Sequence, residues 1–241
     1  MPLSVRQFPC LSDNYGFLAR DEATGLVACI DTPDAEAILR ELDAAGWSLD
    51  LILNTHWHQD HAGGNAQLKA KTGCAIVGPA EVEKIAPIDR VVSGGDIVEL
   101  GQTRLEVIEV GGHTLGHIAY FDAADQIAFV GDTLFALGCG RLFEGTAEQM
   151  WTSLSRLAAL PEQTSVYCAH EYTAANARFA LSIDDAPQVA ARAAEVFAAR
   201  ERNEPTVPTT IGLEKATNPF LRAGNAAAFA AARAAKDVFK G

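Results

Sequence analysis

Between Thr55 and His61 the chain reads Thr-His-Trp-His-Gln-Asp-His, so His56, His58, Asp60 and His61 put four strong metal donors within six residues. Three of the chain's six histidines sit in this one segment. Neutral imidazole and ionised carboxylate together suit zinc or a similar first-row metal far better than calcium or magnesium. Four donors also exceed what one open catalytic ion takes from a single loop, so two neighbouring ions sharing them are expected. The alternative, a polar loop rich in histidine by chance, loses ground because distant parts of the chain supply further ligands.

A chain of 241 residues is long enough for one large domain or for a domain with a smaller partner. An apolar fraction of 49% supplies ample core, and a net charge of −12 argues against nucleic acid, whose phosphates need a basic footprint. The same charge disfavours an anionic membrane surface. Cys10, Cys29, Cys74, Cys139 and Cys168 are odd in number, scattered and free of any C-x-x-C pair, which fits neither a disulfide framework nor a thiolate zinc site. They read as buried apolar fillers in a reducing compartment. The N-terminus lacks the charged start and apolar run of a signal peptide, and no apolar stretch approaches a membrane span. A cytoplasmic enzyme with a small-molecule substrate is the expectation.

The first two thirds alternate short strands with a few helices. Strand patterns fall at 5–8, 16–20, 26–30, 49–53, 75–77, 96–100, 104–110, 118–121, 126–130 and 165–168. Helical patterns run from Asp34 through Leu42 to a stop at Gly46, from Gly64 to Gly73, and from Ala147 to Leu160. After residue 171 the chain turns alanine-rich, with helical patterns at 174–181, 187–203 and 225–238 and no strand pattern. This predicts an α+β domain over 1–170 and a small helical domain over 171–241.

His113, Asp132 and His170 each follow a predicted strand, as the first histidine cluster does. Singly each is weak: an aspartate after glycine is commonly a turn residue, and a lone histidine a hydrogen-bonded loop or core residue. The repeated arrangement raises them as a set, because aligned strands would bring every ligand to one rim of the sheets. The glycines before His113 and Asp132 would let the backbone turn sharply.

The ordered motifs T-H-W-H-Q-D-H, G-H-T-L-G-H, F-V-G-D-T-L-F and C-A-H-E-Y resemble the metallo-β-lactamase superfamily. Within it, G-C-G-R-L-F-E-G-T at 138–146, E-P-T-V-P at 204–208, N-P-F-L-R at 218–222 and R-A-A-K-D-V-F-K at 233–240 resemble glyoxalase II, the hydroxyacylglutathione hydrolases. The resemblance implies an αββα sandwich followed by a small C-terminal helical domain. It implies His56, His58 and His113 at one metal, Asp60, His61 and His170 at a second, and Asp132 between them. Zinc is the expected metal, with iron or manganese compatible. His117 is not a ligand in this resemblance and reads as an orienting or core histidine.

Two divalent ions acidify a water held between them and polarise a carbonyl. An alkyl thiol, with a pKa of about 8.5, leaves as thiolate with little help, whereas an amide nitrogen needs a proton. A thioester therefore suits a site whose ionisable groups are committed to metal, with Asp60 available to relay a proton if it moves. The resemblance implies a glutathione thioester as substrate, catalytic roles for Asp60 and Asp132, and substrate contacts at Arg141, Phe143, Tyr172, Arg233 and Lys236. Arg233 and Lys236 share a face of a predicted helix, a spacing also compatible with a solvated helix end. Tyr172 could equally pack in an interdomain seam. At 143 the family often carries tyrosine; the phenylalanine here lacks the hydroxyl, a loss of about 1 kcal/mol or several-fold in affinity. A monomer is expected, without nucleic-acid or membrane partners. Competing readings are a lactonase or a thioesterase for another thiol, a phosphodiesterase, an iron-dependent persulfide dioxygenase, and a metal-binding protein without catalysis.

Overall fold

A computed structural model describes residues 2–241. It forms two compact units: the first runs to Glu109 and resumes over Gly116–Gly131, and the second comprises Val110–Leu115 and Asp132–Gly241.

The first unit opens with an antiparallel pair, β1 (Leu3–Cys10) and β2 (Asn14–Asp21), to which β3 (Val27–Ile30) adds antiparallel. From there the sheet continues in parallel through β4 (Leu51–Leu53), β5 (Ala75–Gly78) and β6 (Arg90–Val91). Parallel neighbours need crossovers, and helices α1 (Ala35–Ala45) and α3 (Asn65–Thr72) supply them, with the short α2 (Gln59–Ala62) lying inside the histidine segment. Asp34 caps α1 by accepting from the backbone of Glu36 and Ala37, and Gly46 ends it in the left-handed conformation, φ 67°.

Register explains the inner core. Leu18, Cys29, Ile52 and Ile76 stand in one row across four strands, all fully buried beneath Ile38, Leu42 and Leu68 of the crossover helices. Each such aliphatic side chain contributes roughly 2 kcal/mol on full burial. One residue on, Phe17 aligns with Ile30 on the opposite face, and its ring meets Phe129 at 6.0 Å. Phe129 belongs to an antiparallel meander of β7 (Ile97–Leu100), β8 (Thr103–Glu109), β9 (Ile118–Asp122) and β10 (Ile127–Gly131).

In the second unit β11 (Leu134–Phe135) and β12 (Gly138–Cys139) form a tight hairpin, followed by α4 (Ala147–Ala158) behind a Thr146/Gln149 capping box. β13 (Ser165–Cys168) leads into α5 (Thr173–Ile183) and α6 (Pro187–Glu201). The chain ends with α7 (Ile211–Thr217) and α8 (Ala226–Val238). Ala177, Ala180 and Ala193 join Leu137, Val189 and Val196 in a core between α5, α6 and the hairpin. The alanine-rich composition of the tail thus fills its own helix interfaces.

The short elements β6, β11, β12 and α2 carry no pattern in the sequence reading, and two features of the tail also depart from it. A strand, β14 (Thr209–Thr210), occurs in the tail, where none is expected, and pairs antiparallel with Ser165 and Val166. Two residues are too few to carry an alternating pattern. Helix α7 follows at once, its N-cap Thr210 accepting from Leu213, in a segment that reads only as loop.

Asp21 fastens the two sheets of the first unit. Its carboxylate accepts from the backbone of Ala23, Thr24, Gln102 and Thr103 at 2.6–2.9 Å. Burial would raise its pKa, but these four donors outweigh that effect and bring it down to about 2. The native state therefore keeps Asp21 ionised where an unfolded chain would protonate it. The stability it supplies is present above about pH 4 and lost as pH falls towards 2. Asp21→Ala, which strands the four N–H groups, should cost about 3 kcal/mol in urea unfolding at pH 7 and flatten the acid limb of the stability profile.

Candidate metal centre and adjoining cavity

The first unit presents its donors just past the carboxyl end of β4. Trp57, between the first two histidines, anchors the loop against Ala62, Val82, Ala86 and Ile88, and Lys84 lies 4.5 Å over its ring. Buried amides hold the start of α2: Asn54 Nδ2 donates to the carbonyl of His61 at 2.9 Å, and Asn65 Nδ2 donates to Asn54 Oδ1 at 2.6 Å. Asn14 donates to Asp60 Oδ2 at 3.1 Å.

Asp31, which follows β3 and has φ 57°, sets the protonation of this loop. Its Oδ1 accepts from the Thr55 backbone at 2.7 Å, and its Oδ2 accepts from Thr55 Oγ1 and His61 Nδ1, both at 2.8 Å. A carboxylate only accepts, so the single hydroxyl proton of Thr55 goes to Asp31 and Thr55 Oγ1 must accept from His56 Nδ1, 3.0 Å away. Both rings thereby carry their proton on Nδ1 and present the Nε2 lone pair. His56 Nε2 faces His58 Nδ1 at 3.0 Å, and His61 Nε2 faces Asp60 Oδ2 at 3.6 Å. Asp31 lies near enough to His56 and His61 to complete a donor trio. Its oxygens are already engaged in aiming the other donors, so its role is orientation. His117 stacks on His56, centroids 4.5 Å apart and planes 20° from parallel, fully buried as expected for an orienting residue.

Gly131 sits under this stack at φ 48°, where an added Cβ would come within 2.5 Å of Thr55 Oγ1 and 2.8 Å of His117 Nε2. Gly112, φ 146°, is pressed equally close to Met150. Both positions require glycine, for the sharp turn the sequence suggested and for the close packing against these neighbours.

The second unit gathers the other three donors. His113 Nδ1 lies 2.9 Å from the carbonyl of Arg141 and therefore donates, leaving its Nε2 lone pair 3.4 Å from Asp132 Oδ2. His170 Nε2 lies 3.3 Å from Asp132 Oδ1. One carboxylate thus has an imidazole at each oxygen. For His113 lone pairs face each other, an arrangement that becomes favourable when a cation shares them. The residues fit divalent metal on donor chemistry in both units.

All five residues expected to touch substrate line one cavity of about 440 Å³ within the second unit, together with His113 and Asp132. Tyr172 stacks on His170 at 4.7 Å with planes 2° apart, and Phe143, 62% exposed, sets its ring edge-on to His113 at 5.2 Å. Arg233 is buried, donating to Asp237 Oδ1 and to the carbonyl of Cys139, and Lys236 Nζ donates to the carbonyl of Ala175. Burial, then the charges of Arg233, Arg178 and Arg141, push the Lys236 ammonium down to about 8. Three cations, Arg141, Arg233 and Lys236, thus share the cavity walls with the carboxylates of Asp132 and Asp237. Cys139 also lines the cavity, its thiol pushed up to about 11 by burial. The sequence reading missed Asp31; its place just past a strand, like the candidate ligands, was the available signal.

The fold and the two donor sets define a divalent-metal protein of the metallo-β-lactamase class. Residues 27–170 match the family model of the metallo-β-lactamase superfamily, and residues 171–240 match that of the hydroxyacylglutathione hydrolase C-terminus. The chain is 54% identical over 250 residues to a hydroxyacylglutathione hydrolase of Erythrobacter litoralis, covering 98% of this chain and 100% of that one. It is 60% identical over 222 residues to the enzyme of the same name from Maricaulis maris, covering 91% and 87%. Among solved structures, ETHE1 from Myxococcus xanthus superposes with a TM-score of 0.75 at 27% identity, covering 98% of this chain and 92% of that one. The chain belongs to the hydroxyacylglutathione hydrolase (glyoxalase II) family of the metallo-β-lactamase superfamily. The expected α+β fold with its helical tail is borne out. No helix among the described residues is long and apolar enough to cross a membrane.

Because Asp31 aims His61 directly and His56 through Thr55, Asp31→Ala should weaken metal retention on the order of 10–100-fold against a competing chelator, with the fold kept by circular dichroism.

Proposed function

We propose that this chain is a thioester hydrolase that converts S-D-lactoylglutathione, and related 2-hydroxyacyl-glutathione thioesters, to the 2-hydroxy acid and glutathione, the second step of methylglyoxal detoxification. On this reading His56, His58 and His113 serve one ion, Asp60, His61 and His170 a second, and Asp132 both. Zinc is the metal that the imidazole and carboxylate donors suit best. Such ions, when bound, acidify a water and polarise the thioester carbonyl.

The observation that carries the reading is the single cavity with His113 and Asp132 at its lining and Arg141, Arg233 and Lys236 in the same walls. A ligand that reaches from metal donors to a cation cluster needs an acyl group at one end and carboxylates at the other, and glutathione brings two carboxylates. The cations bind and orient that end, giving a protein of net charge −12 a local attraction for an anion. The rings of Tyr172 and Phe143 flank the cavity. The departing thiol, with a pKa of about 8.5, needs no strong acid. Asp60, half-buried and held by Asn14, is the carboxylate with access to solvent for passing on a proton.

Purified protein should turn over S-D-lactoylglutathione with about two metals per chain, and chelation should abolish turnover. A fully metallated sample that leaves this thioester intact while cleaving another thioester or a lactone would overturn the substrate assignment.

Anion binding also sets a pH dependence. Lys236 is protonated below about 8 and loses its charge as pH rises through that value. KM for the glutathione thioester should therefore rise above pH 8 with kcat unchanged, whereas Lys236→Met should show a raised KM at pH 7 and a flat profile to pH 9.

A further inference from the structure

Glu214 of α7 is fully buried, remote in sequence from every donor, and left unused by the chemistry above. Its Oε2 accepts from the backbone N–H of Leu137 at 2.9 Å and from Asn218 Nδ2 at 2.9 Å. Its Oε1 accepts from Thr209 Oγ1 at 2.6 Å and from Arg192 Nη2. Leu137 is the turn residue of the β11–β12 hairpin, fully buried and held at φ 55°, a left-handed conformation that a leucine resists. Three further carbonyls of that hairpin are held by side-chain amides. Asn218 Nδ2 donates to Phe135 at 3.1 Å and Gly138 at 2.9 Å, and Asn176 Nδ2 donates to Ala136 at 3.1 Å.

The hairpin begins two residues after Asp132 and ends two residues before Arg141. Between them Phe135 sets its ring edge-on to His170 at 5.9 Å and to Tyr172 at 5.4 Å. A buried Arg–Glu pair adds little net stability and can often be exchanged for apolar residues without loss. Stability is therefore a weak reason for this carboxylate to be there. The backbone N–H it satisfies is a stronger one.

We propose that Glu214 is a positioning residue. By capping Leu137 it locks the β11–β12 hairpin, so that Asp132 at one end and Arg141 at the other hold their places in the cavity. The role of the cavity rests on the thioesterase reading, but the locking of the hairpin does not.

Two double variants separate positioning from general support. Arg192→Met/Glu214→Leu removes the ion pair and the acceptor for Leu137. Arg192→Met/Glu214→Gln removes the same ion pair but keeps an oxygen for that N–H. The first should show faster deuterium uptake across 132–141 and about tenfold weaker binding of glutathione by calorimetry, with its melting temperature close to that of the second. The second should restore slow uptake and bring glutathione affinity back to near the wild-type value. Equal uptake in both variants overturns the proposal whatever the activity, because it means the oxygen is dispensable. If the leucine variant does not fold, Asn218→Ala should give the same rise in uptake across 132–141; uptake like the wild type refutes the locking. Wild-type protein that neither binds glutathione nor cleaves its thioester would sink the thioesterase reading alone, since hydrogen exchange still decides the hairpin.

Discussion

The arrangement of the histidine loop depends on one carboxylate whose two oxygens are engaged by Thr55 and His61. Asp31 accepts a hydrogen bond from His61 Nδ1 and, through Thr55, dictates that His56 also keeps its proton on Nδ1. An imidazole can ligate with either nitrogen, so a loop with three histidines has several possible protonation patterns. Asp31 leaves a single choice for two of the rings. Burial makes this decisive, because a misplaced proton among fully enclosed groups would leave a donor facing a donor. The strictness of the surroundings, down to the missing side chain at Gly131, follows from that requirement.

Most of this was open to a reader of the sequence, for identifiable reasons. The placement of imidazole and carboxylate donors past strand ends, the helix stops at Gly46 and Gly73, and the alanine-rich tail all rest on short-range chemistry that local composition reports. What escaped was long-range or too brief. Thr209 and Thr210 form a strand only because Ser165 and Val166 offer an edge, and α7 is too short to display periodicity. Asp31 looks like an ordinary turn residue until the fold brings Thr55 and His61 against it. Glu214 falls in a segment without a helical pattern, and nothing nearby in sequence announces Arg192 or the hairpin it serves.

The cavity of the second unit gathers Arg141, Arg233 and Lys236 in its walls. Burial lowers the Lys236 ammonium, and the charges of Arg233, Arg178 and Arg141 add to that shift. Lys236 occupies itself with a helix carbonyl and Arg233 with Asp237. On the thioesterase reading, a dianionic ligand offsets that local positive charge as it binds.

Every cysteine is buried, and burial raises the thiols of Cys10 and Cys168 to about 12 and that of Cys139 to about 11. Cys29 and Cys74 move in the same direction. Exchange with a disulfide proceeds through the thiolate, which at neutral pH is roughly one part in ten thousand for a pKa near 11. The chain's own sulfurs, including the one in the cavity wall, are thereby held as thiols, the form that does not attack a disulfide, so a thiol product released beside them finds no reactive partner in the protein.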